Sequence, residues 1–334
     1  MSFLLRRSLQ AALTMLVAFL AVFVAIRTLP NNPVLARFGQ HASPERVARE
    51  MADQGWDRPI LEQVGAFLSG VFTEGDLGES FAVEPGRPIA QLLGERIPAT
   101  IELALAASLI AAPLGIAAGI VAAVWKNGLP DIVVMIGSLL GVCVPVFFLG
   151  ILLMSIFTSL PAGFRLPISM DYESATGFVL LEAPFRGEFV VFFAALKQIL
   201  LPAVALSTIP AAIISRIARS GMIDVLSQDY VRTARAKGAS RSRTVLAHAF
   251  PNAAIPVANI AGFQLGMLLS GAVLTETVFS WPGLGRLMVD GVQASDYSVV
   301  QAGAMAVAGT FVIVNFAVDA FAVWLDPRLR GSGS

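Results

Sequence analysis

The succession of apolar and polar positions divides the chain into six long apolar runs joined by polar stretches of very unequal length. The first is Leu9 to Leu29, preceded by Arg6 and Arg7. The others are Ala99 to Val124, Ile132 to Leu160, Gln198 to Ile217, Asn252 to Phe279 and Val299 to Trp324. Each is near or above the ~20 residues a helix needs to cross a bilayer, so the pattern predicts six transmembrane helices. The third run is longer than a crossing requires and contains Pro145, which predicts a tilted or kinked helix. The fourth contains Pro202 and Pro210. No small-residue cleavage signature follows the first run, which therefore reads as an uncleaved span.

The polar stretches differ in kind. Residues 30–98 have soluble composition, with ten acids (Glu45, Glu50, Asp53, Asp57, Glu62, Glu74, Asp76, Glu79, Glu84, Glu95) against six arginines. Within them SPERVARE offers a serine cap and a proline at the first helical position, predicting helix around Pro44 to Gly70. Residues 161–196 read as a second loop on the same side, and Trp281 to Ser298 as a short amphipathic stretch. A bare connector would be shorter than residues 30–98, so a docking or gating role is expected of them.

Composition agrees with the pattern. The chain of 334 residues is 56% apolar and 14% charged, with mean hydropathy +0.75, outside the soluble norm of roughly 45–50% apolar and about 25% charged. The formal net charge of zero conceals sorting. One side collects Arg6, Arg7, Lys126, Arg216, Arg219, Arg232, Arg235, Lys237, Arg241, Arg243, Arg328 and Arg330 against only Asp131, Asp224, Asp229 and Asp326. That side, with both termini, is expected to be cytoplasmic, and residues 30–98 to lie outside. The expected organisation is a first helix within residues 1–29, an outer segment 30–98, a core 99–325 with a basic loop 218–251, and a tail 326–334 whose GSGS end reads as an added linker.

Several chemistries are excluded. A phosphate-binding loop needs a lysine between glycine and Ser or Thr, but Lys126, Lys197 and Lys237 are followed by Asn, Gln and Gly. The chain cannot be its own ATPase by that mechanism. His41 and His248 fall on opposite sides of the proposed membrane, outside any HExxH pattern, which leaves no metal site or catalytic centre. Cys143 is the only cysteine, so no internal disulfide forms. No nucleic-acid partner is implied. Of the acids in or near spans, Glu102 and Glu276 sit at outer ends where solvation is cheap; Asp319, with Asn315 one turn earlier, is left as the carrier of an alternative, proton-coupled secondary transport. Gln264, Asn315 and Asp319 are the candidate path-lining residues. Small-xxx-small pairs (Gly115 with Gly119, Gly137 with Gly141, Gly262 with Gly266) fit either close helix packing or moving helices.

The most distinctive stretch is SQDYVRTARAKGASRSRTVLAHAFP, Ser227 to Pro251. At 100° per residue Ser227, Val231, Ala234 and Gly238 share one helical face of small or modest side chains that a partner can approach closely. Gly238 either permits that approach or ends the helix in a left-handed conformation.

The order Arg232-Thr233-Ala234, three residues, Gly238, nine residues, then His248 to Pro251 resembles the cytoplasmic loop of the membrane subunits of bacterial binding-protein-dependent ABC importers. Its general form is Glu-Ala-Ala, three residues, Gly, nine residues, Ile-x-Leu-Pro. Arg232 stands in place of Glu and His248 in place of Ile. DYVRTARAKG (Asp229 to Gly238) is similar to the peptide-transporting branch, as are GDLGES (Gly75 to Ser80), RIPATIEL (Arg96 to Leu103), TETVFSWPGLGR (Thr275 to Arg286) and DPRLR (Asp326 to Arg330). The resemblance implies an all-α polytopic fold with six transmembrane helices in the bacterial inner membrane, the type I importer permease. It implies a heterodimer with a second permease, two ATPase subunits that bind ATP and magnesium, and a periplasmic or lipid-anchored binding protein. The cargo would be a dipeptide, oligopeptide, glutathione, haem or nickel. On this likeness Ser227, Asp229, Val231, Arg232, Ala234, Gly238 and Pro251 would couple to the ATPase. Trp281, Pro282, Gly283 and Gly285 read as a rigid turn with an interfacial indole, either a ledge at the external mouth where a binding protein docks or a structural turn between two spans.

Overall fold

The computed structural model describes residues 3–28, 43–53 and 55–325. The tail 326–334 with its DPRLR motif, part of segment 30–98, and the side chains of Asn315 and Asp319 lie outside the described residues. Helix α1, Phe3–Thr28, is followed by α2, Pro44–Asp53, and α3, Ile60–Glu74. The single helix expected over Pro44 to Gly70 is thus two. Gly55, at φ +66°, and Pro59 before α3 interrupt the ladder between them. The start of α2 is as expected, with Ser43 Oγ accepting from the amide of Arg46 at 3.4 Å.

Helix α4, Ile89–Val124, and α8, Phe189–Leu226, form the spine. Both exceed the expected spans: α4 begins ten residues before Ala99, and α8 extends beyond Gln198 and Ile217 at both ends. The prolines inside them, Pro98, Pro113, Pro202 and Pro210, bring no break in either helix. The two pack along much of their length, because Gly115 and Gly119 leave room for the α8 backbone. A Cβ on Gly119 would lie 2.5 Å from the Ser215 carbonyl oxygen, and one on Gly115 2.7 Å from that of Ala211. The Gly115/Gly119 pair is therefore a packing device, whereas a Cβ on Gly137 would meet nothing within 4 Å.

The third apolar run is not one helix. It breaks into α5, Leu129–Cys143, and α6, Val146–Ile156, bent by 105°. Pro145 has no N–H to donate and forces Val144 into extended backbone (φ −78°, ψ 121°). The helical part ends at Ile156 instead of Leu160. After α7, Val179–Phe185, and α8 comes α9, Asp229–Ala236. A turn at Arg241–Arg243 and a π turn at Thr244–Ala249 then lead into α10, Phe250–Gly271. The π turn ends on a bond from the Phe250 amide to the Val245 carbonyl, directly before Pro251, which has no N–H for the ladder. The fifth run also divides: α10 stops at Gly271, and Val273–Val278 is a separate short helix, α11. Helix α12 is Leu284–Gln293, and α13, Tyr297–Leu325, covers the sixth run.

By length and composition, four helices among the described residues are long and apolar enough to cross a membrane, or five if α5 and α6 make one span. Helix α1 adds a shorter apolar stretch, Ala12–Thr28. The protein is an all-α polytopic membrane protein. The apolar surface on α5 and α6 (Val133, Ile136, Leu139, Phe148, Ile156) is exposed, as a bilayer or a neighbouring membrane helix requires.

Replacing Gly119 by Leu in the purified chain is expected to lower stability by about 1–3 kcal/mol through overpacking. The same change at Gly137 is expected to leave the detergent melting curve unshifted, and equal shifts would show that α4 and α8 do not meet as described.

Candidate functional site

Three places gather the sequence-predicted residues: the basic loop at one end of α4, the turn around Trp281 at the other, and a cavity between them.

At the basic loop, α9 opens after Gln228, with Asp229 in its first turn, where a carboxylate suits the helix dipole. It ends in a Schellman arrangement. The Gly238 amide donates to the Arg235 carbonyl at 2.9 Å and the Ala239 amide to the Ala234 carbonyl at 3.2 Å, with Gly238 at φ +83°. A Cβ at Gly238 would meet nothing within 4 Å. Of the two expected reasons for this glycine, the left-handed helix end is the one the structure supplies.

The small face is divided: Ser227 and Gly238 are exposed, and its middle is turned inward. Val231 is fully buried against the chain's own body and Ala234 half-buried, while Ser227 caps α8 and donates to the Asp224 carbonyl at 2.7 Å. The four residues do not share one helix, since Ser227 ends α8 and α9 begins at Asp229; of the face only Val231 is fully buried, because an apolar side chain gains by leaving water. What α9 offers outward is Tyr230, Arg232, Thr233, Arg235 and Lys237. Arg232 lies 3.5 Å from Asp229 on the open surface, a pair of little energetic weight. Pro251 stands at the entrance of α10, and next to it Asn252 donates to the Tyr230 hydroxyl at 2.7 Å, tying α9 to that helix.

Beneath the loop lies a linkage that the sequence reading missed. Arg219 of α8 grips Asp131 of α5 through two bonds of 2.6 and 2.7 Å, and the buried carboxylate also accepts from the Asn127 amide at 2.8 Å. Arg241 donates to the Val124 carbonyl at 3.0 Å and lies over the Trp125 ring. The start of the loop's return segment is thereby held to the end of α4. Nothing in residue spacing pairs positions 88 apart, although a lone Asp opening an apolar run was a cue that it has a partner.

At the far end, Trp281 is 2% exposed and its indole donates to the Ala99 carbonyl at 2.9 Å. It is a buried anchor, not the expected interfacial ledge, since a chain bond awaits its N–H inside the fold. Glu276 and Glu102 are buried too, against the expectation that outer-end carboxylates are solvated. Glu276 accepts from the Thr100 hydroxyl at 2.7 Å and from the amides of Gly285 and Arg286, so it caps the N-terminus of α12 from outside that helix. Thr100 accepts in turn from the Leu284 amide at 2.8 Å. A Cβ on Gly283 or Gly285 would collide with this carboxylate, which explains both glycines, while Pro282 is only half-buried. Glu102 pairs with Arg165 at 2.5 Å and accepts from the Leu180 amide, fastening the 161–188 loop to α4. Asp296 accepts from the Ser80 hydroxyl at 2.6 Å and from the amides of Phe81, Ala82 and Val83. Residues 80–83 are so joined to the start of α13. An aspartate before a helix was legible as an N-cap; its grip on a loop 213 to 216 residues away was not.

Between these ends a cavity of about 540 Å³ opens among α4, α8, α10 and α13. Its walls are apolar (Ala111, Pro210, Ile214, Leu265, Val314), with Ser108, Asn259 and Gln264 as polar groups. Gln264 and Gly262 both line this cavity. Among the described residues no group of three or more His, Cys, Asp or Glu could hold a metal.

Comparison with known proteins shows what the chain is similar to. A family model described as binding-protein-dependent transport system inner membrane component matches residues 115–331, and its N-terminal companion matches residues 1–104. The di/tripeptide transport system permease protein DppB of Pseudomonas aeruginosa is 41% identical over 335 residues, covering 99% of each chain. The dipeptide transport system permease protein DppB of Escherichia coli K12 is 39% identical over 338 residues, again 99% of each. The probable D,D-dipeptide transport system permease protein DdpB of the same strain is 41% identical over 317 residues, 93% of this chain and 92% of its own.

Two outcomes follow from the geometry. Arg219→Met leaves Asp131 buried without its partner and is expected to destabilise the chain by about 3–5 kcal/mol, read from denaturation in detergent; replacing both residues by Leu should recover most of that loss. The Glu182 carboxyl, outside the spans, accepts from Ser174 and from the Thr176 and Ala175 amides and is held at about 2, below its ordinary 4.5. Its stabilising effect is complete above pH 4.5 and is lost as pH falls towards 2. Pepsin should therefore begin to cut the 161–188 loop across that interval, and a Glu182→Gln chain should be cut throughout it.

Proposed function

The chain belongs to the family of binding-protein-dependent transport system inner membrane components, and on that premise we propose that it is the permease subunit of an ATP-driven importer of dipeptides. The observation that carries the reading is identity of 36–41% over nearly the whole chain with permeases named for dipeptide transport. The absence of any phosphate-loop lysine means that hydrolysis falls to separate ATPase subunits, which bind the ATP and magnesium.

The basic-loop end is cytoplasmic, and the outward face of α9 is where an ATPase subunit docks. The Arg241 and Arg219 contacts hand its movement to the ends of α4, α5 and α8. A second, different permease closes the transport path on the open side of the cavity, where Gln264, Asn259 and Ser108 offer amide and hydroxyl partners to a peptide. Asn315 and Asp319, the other path candidates, belong to α13. The far end, braced by Glu276, Trp281, Gly283 and Gly285, receives the peptide from a binding protein. Proton coupling through Asp319 has no feature in its favour.

In proteoliposomes containing the second permease, both ATPase subunits and the binding protein, uptake of a labelled dipeptide should require ATP and survive a proton ionophore. Uptake by this chain without ATPase subunits, collapsing with the ionophore, would refute the assignment.

A further inference from the structure

Among the described residues Arg27, in the last turn of α1, is the most unusual cation. Its Nε donates to Gln63 Oε1 at 2.5 Å and its Nη1 to Gln301 Oε1 at 2.7 Å, and the guanidinium lies 3.4 Å from the centre of the Phe23 ring and 5.2 Å from that of Trp56. Neutral amide oxygens and ring faces surround it, and among the described residues no carboxylate pairs with it. A half-buried charge held without a counter-charge is costly to a fold. It is also well suited to an anionic ligand.

The guanidinium lines a second cavity, of about 310 Å³, where α1, α3 and the start of α13 meet. This cavity is separate from the one assigned to transport and shares no lining residue with it. Its wall is amphipathic: Phe67, Ala66 and Leu77 on one part, Arg27, Arg58 and Gln63 on another, with Asp53 and Asp76 exposed at the rim. Trp56 stacks on Tyr297 beside it, an aromatic pair at the height where a spanning helix leaves the membrane. Directly after Arg58 and Pro59, Ile60 and Leu61 are exposed, Leu61 by 85%. That is an apolar edge suited to acyl chains next to a polar pocket suited to a headgroup.

We propose that this junction binds a zwitterionic phospholipid headgroup carrying a primary amine. The phosphate oxygens take the free donor capacity of Arg27 with Arg58 close by, the ammonium faces Asp53 and Asp76, and the tails lie along Ile60 and Leu61. A soluble peptide shares the two charges but would have no use for the exposed apolar edge. The lipid would brace α3 against α1 and α13, adding to the Arg27–Gln63 bond and to the ring contacts of Phe67 with Phe19 and Phe23.

The test is native mass spectrometry of the whole purified transporter, titrated with phosphatidylethanolamine, phosphatidylglycerol or phosphatidylcholine. Retention should favour phosphatidylethanolamine, and Arg27→Gln should weaken it about tenfold, while Arg186→Gln, outside the cavity, leaves it unchanged. Should Arg27→Gln fail to assemble, the rim variant Asp53→Asn/Asp76→Asn should still lose the preference for the amine headgroup. Equal retention of phosphatidylglycerol, undiminished binding in both variants, or displacement of the lipid by alanyl-alanine would overturn the proposal.

Discussion

The close approach of α4 and α8 at Gly115 and Gly119 is the constraint on which the rest depends. With no side chain between them, the two longest helices meet backbone to side chain along a seam that tolerates no added methyl group. Such a pair moves as one body. The residues of interest are attached to its two ends: Ala99, Thr100 and Glu102 at one end of α4, and Val124 at the other, with Arg219 on α8 nearby. A displacement of the basic loop therefore reaches the far turn through a rigid rod, with no chain of soft contacts needed between them.

The carboxylates at the far end hold the arrangement in register. Glu276, Asp296 and Glu182 each accept several backbone or hydroxyl donors, and Glu102 joins an arginine to a backbone amide. Buried charge of this kind adds little net stability compared with well-packed apolar groups, but it is very sensitive to geometry. Each carboxylate fits one arrangement of its loop. A surface built in this way is suited to receiving a partner reproducibly.

Much of the fold was legible, because helices α1, α4, α8, α10 and α13 follow from apolar length, and the SPERVARE start and the Gly238 stop from cap chemistry. The failures share a cause. Periodicity tells which residues form a face but not what covers it, so the Ser227–Val231–Ala234–Gly238 face was read as waiting for a partner when Val231 already had one within the chain. Distance along the sequence hides pairs such as Asp131 with Arg219. Hydropathy treats Glu276 and Trp281 as polar or interfacial when each has its hydrogen bonds satisfied inside. Pro145 announced a kink, but the 105° bend depends on how α5 and α6 pack.

The central claim is that this chain converts a partner's hydrolysis into movement through α9. The most direct measurement follows hydrolysis and dipeptide uptake together in the reconstituted complex carrying Gly238→Val, a β-branched residue forced into left-handed backbone at an exposed helix end. A coupling role for α9 predicts that ATP continues to be hydrolysed while uptake falls away. Uptake and hydrolysis both at the level of the unaltered complex would contradict it.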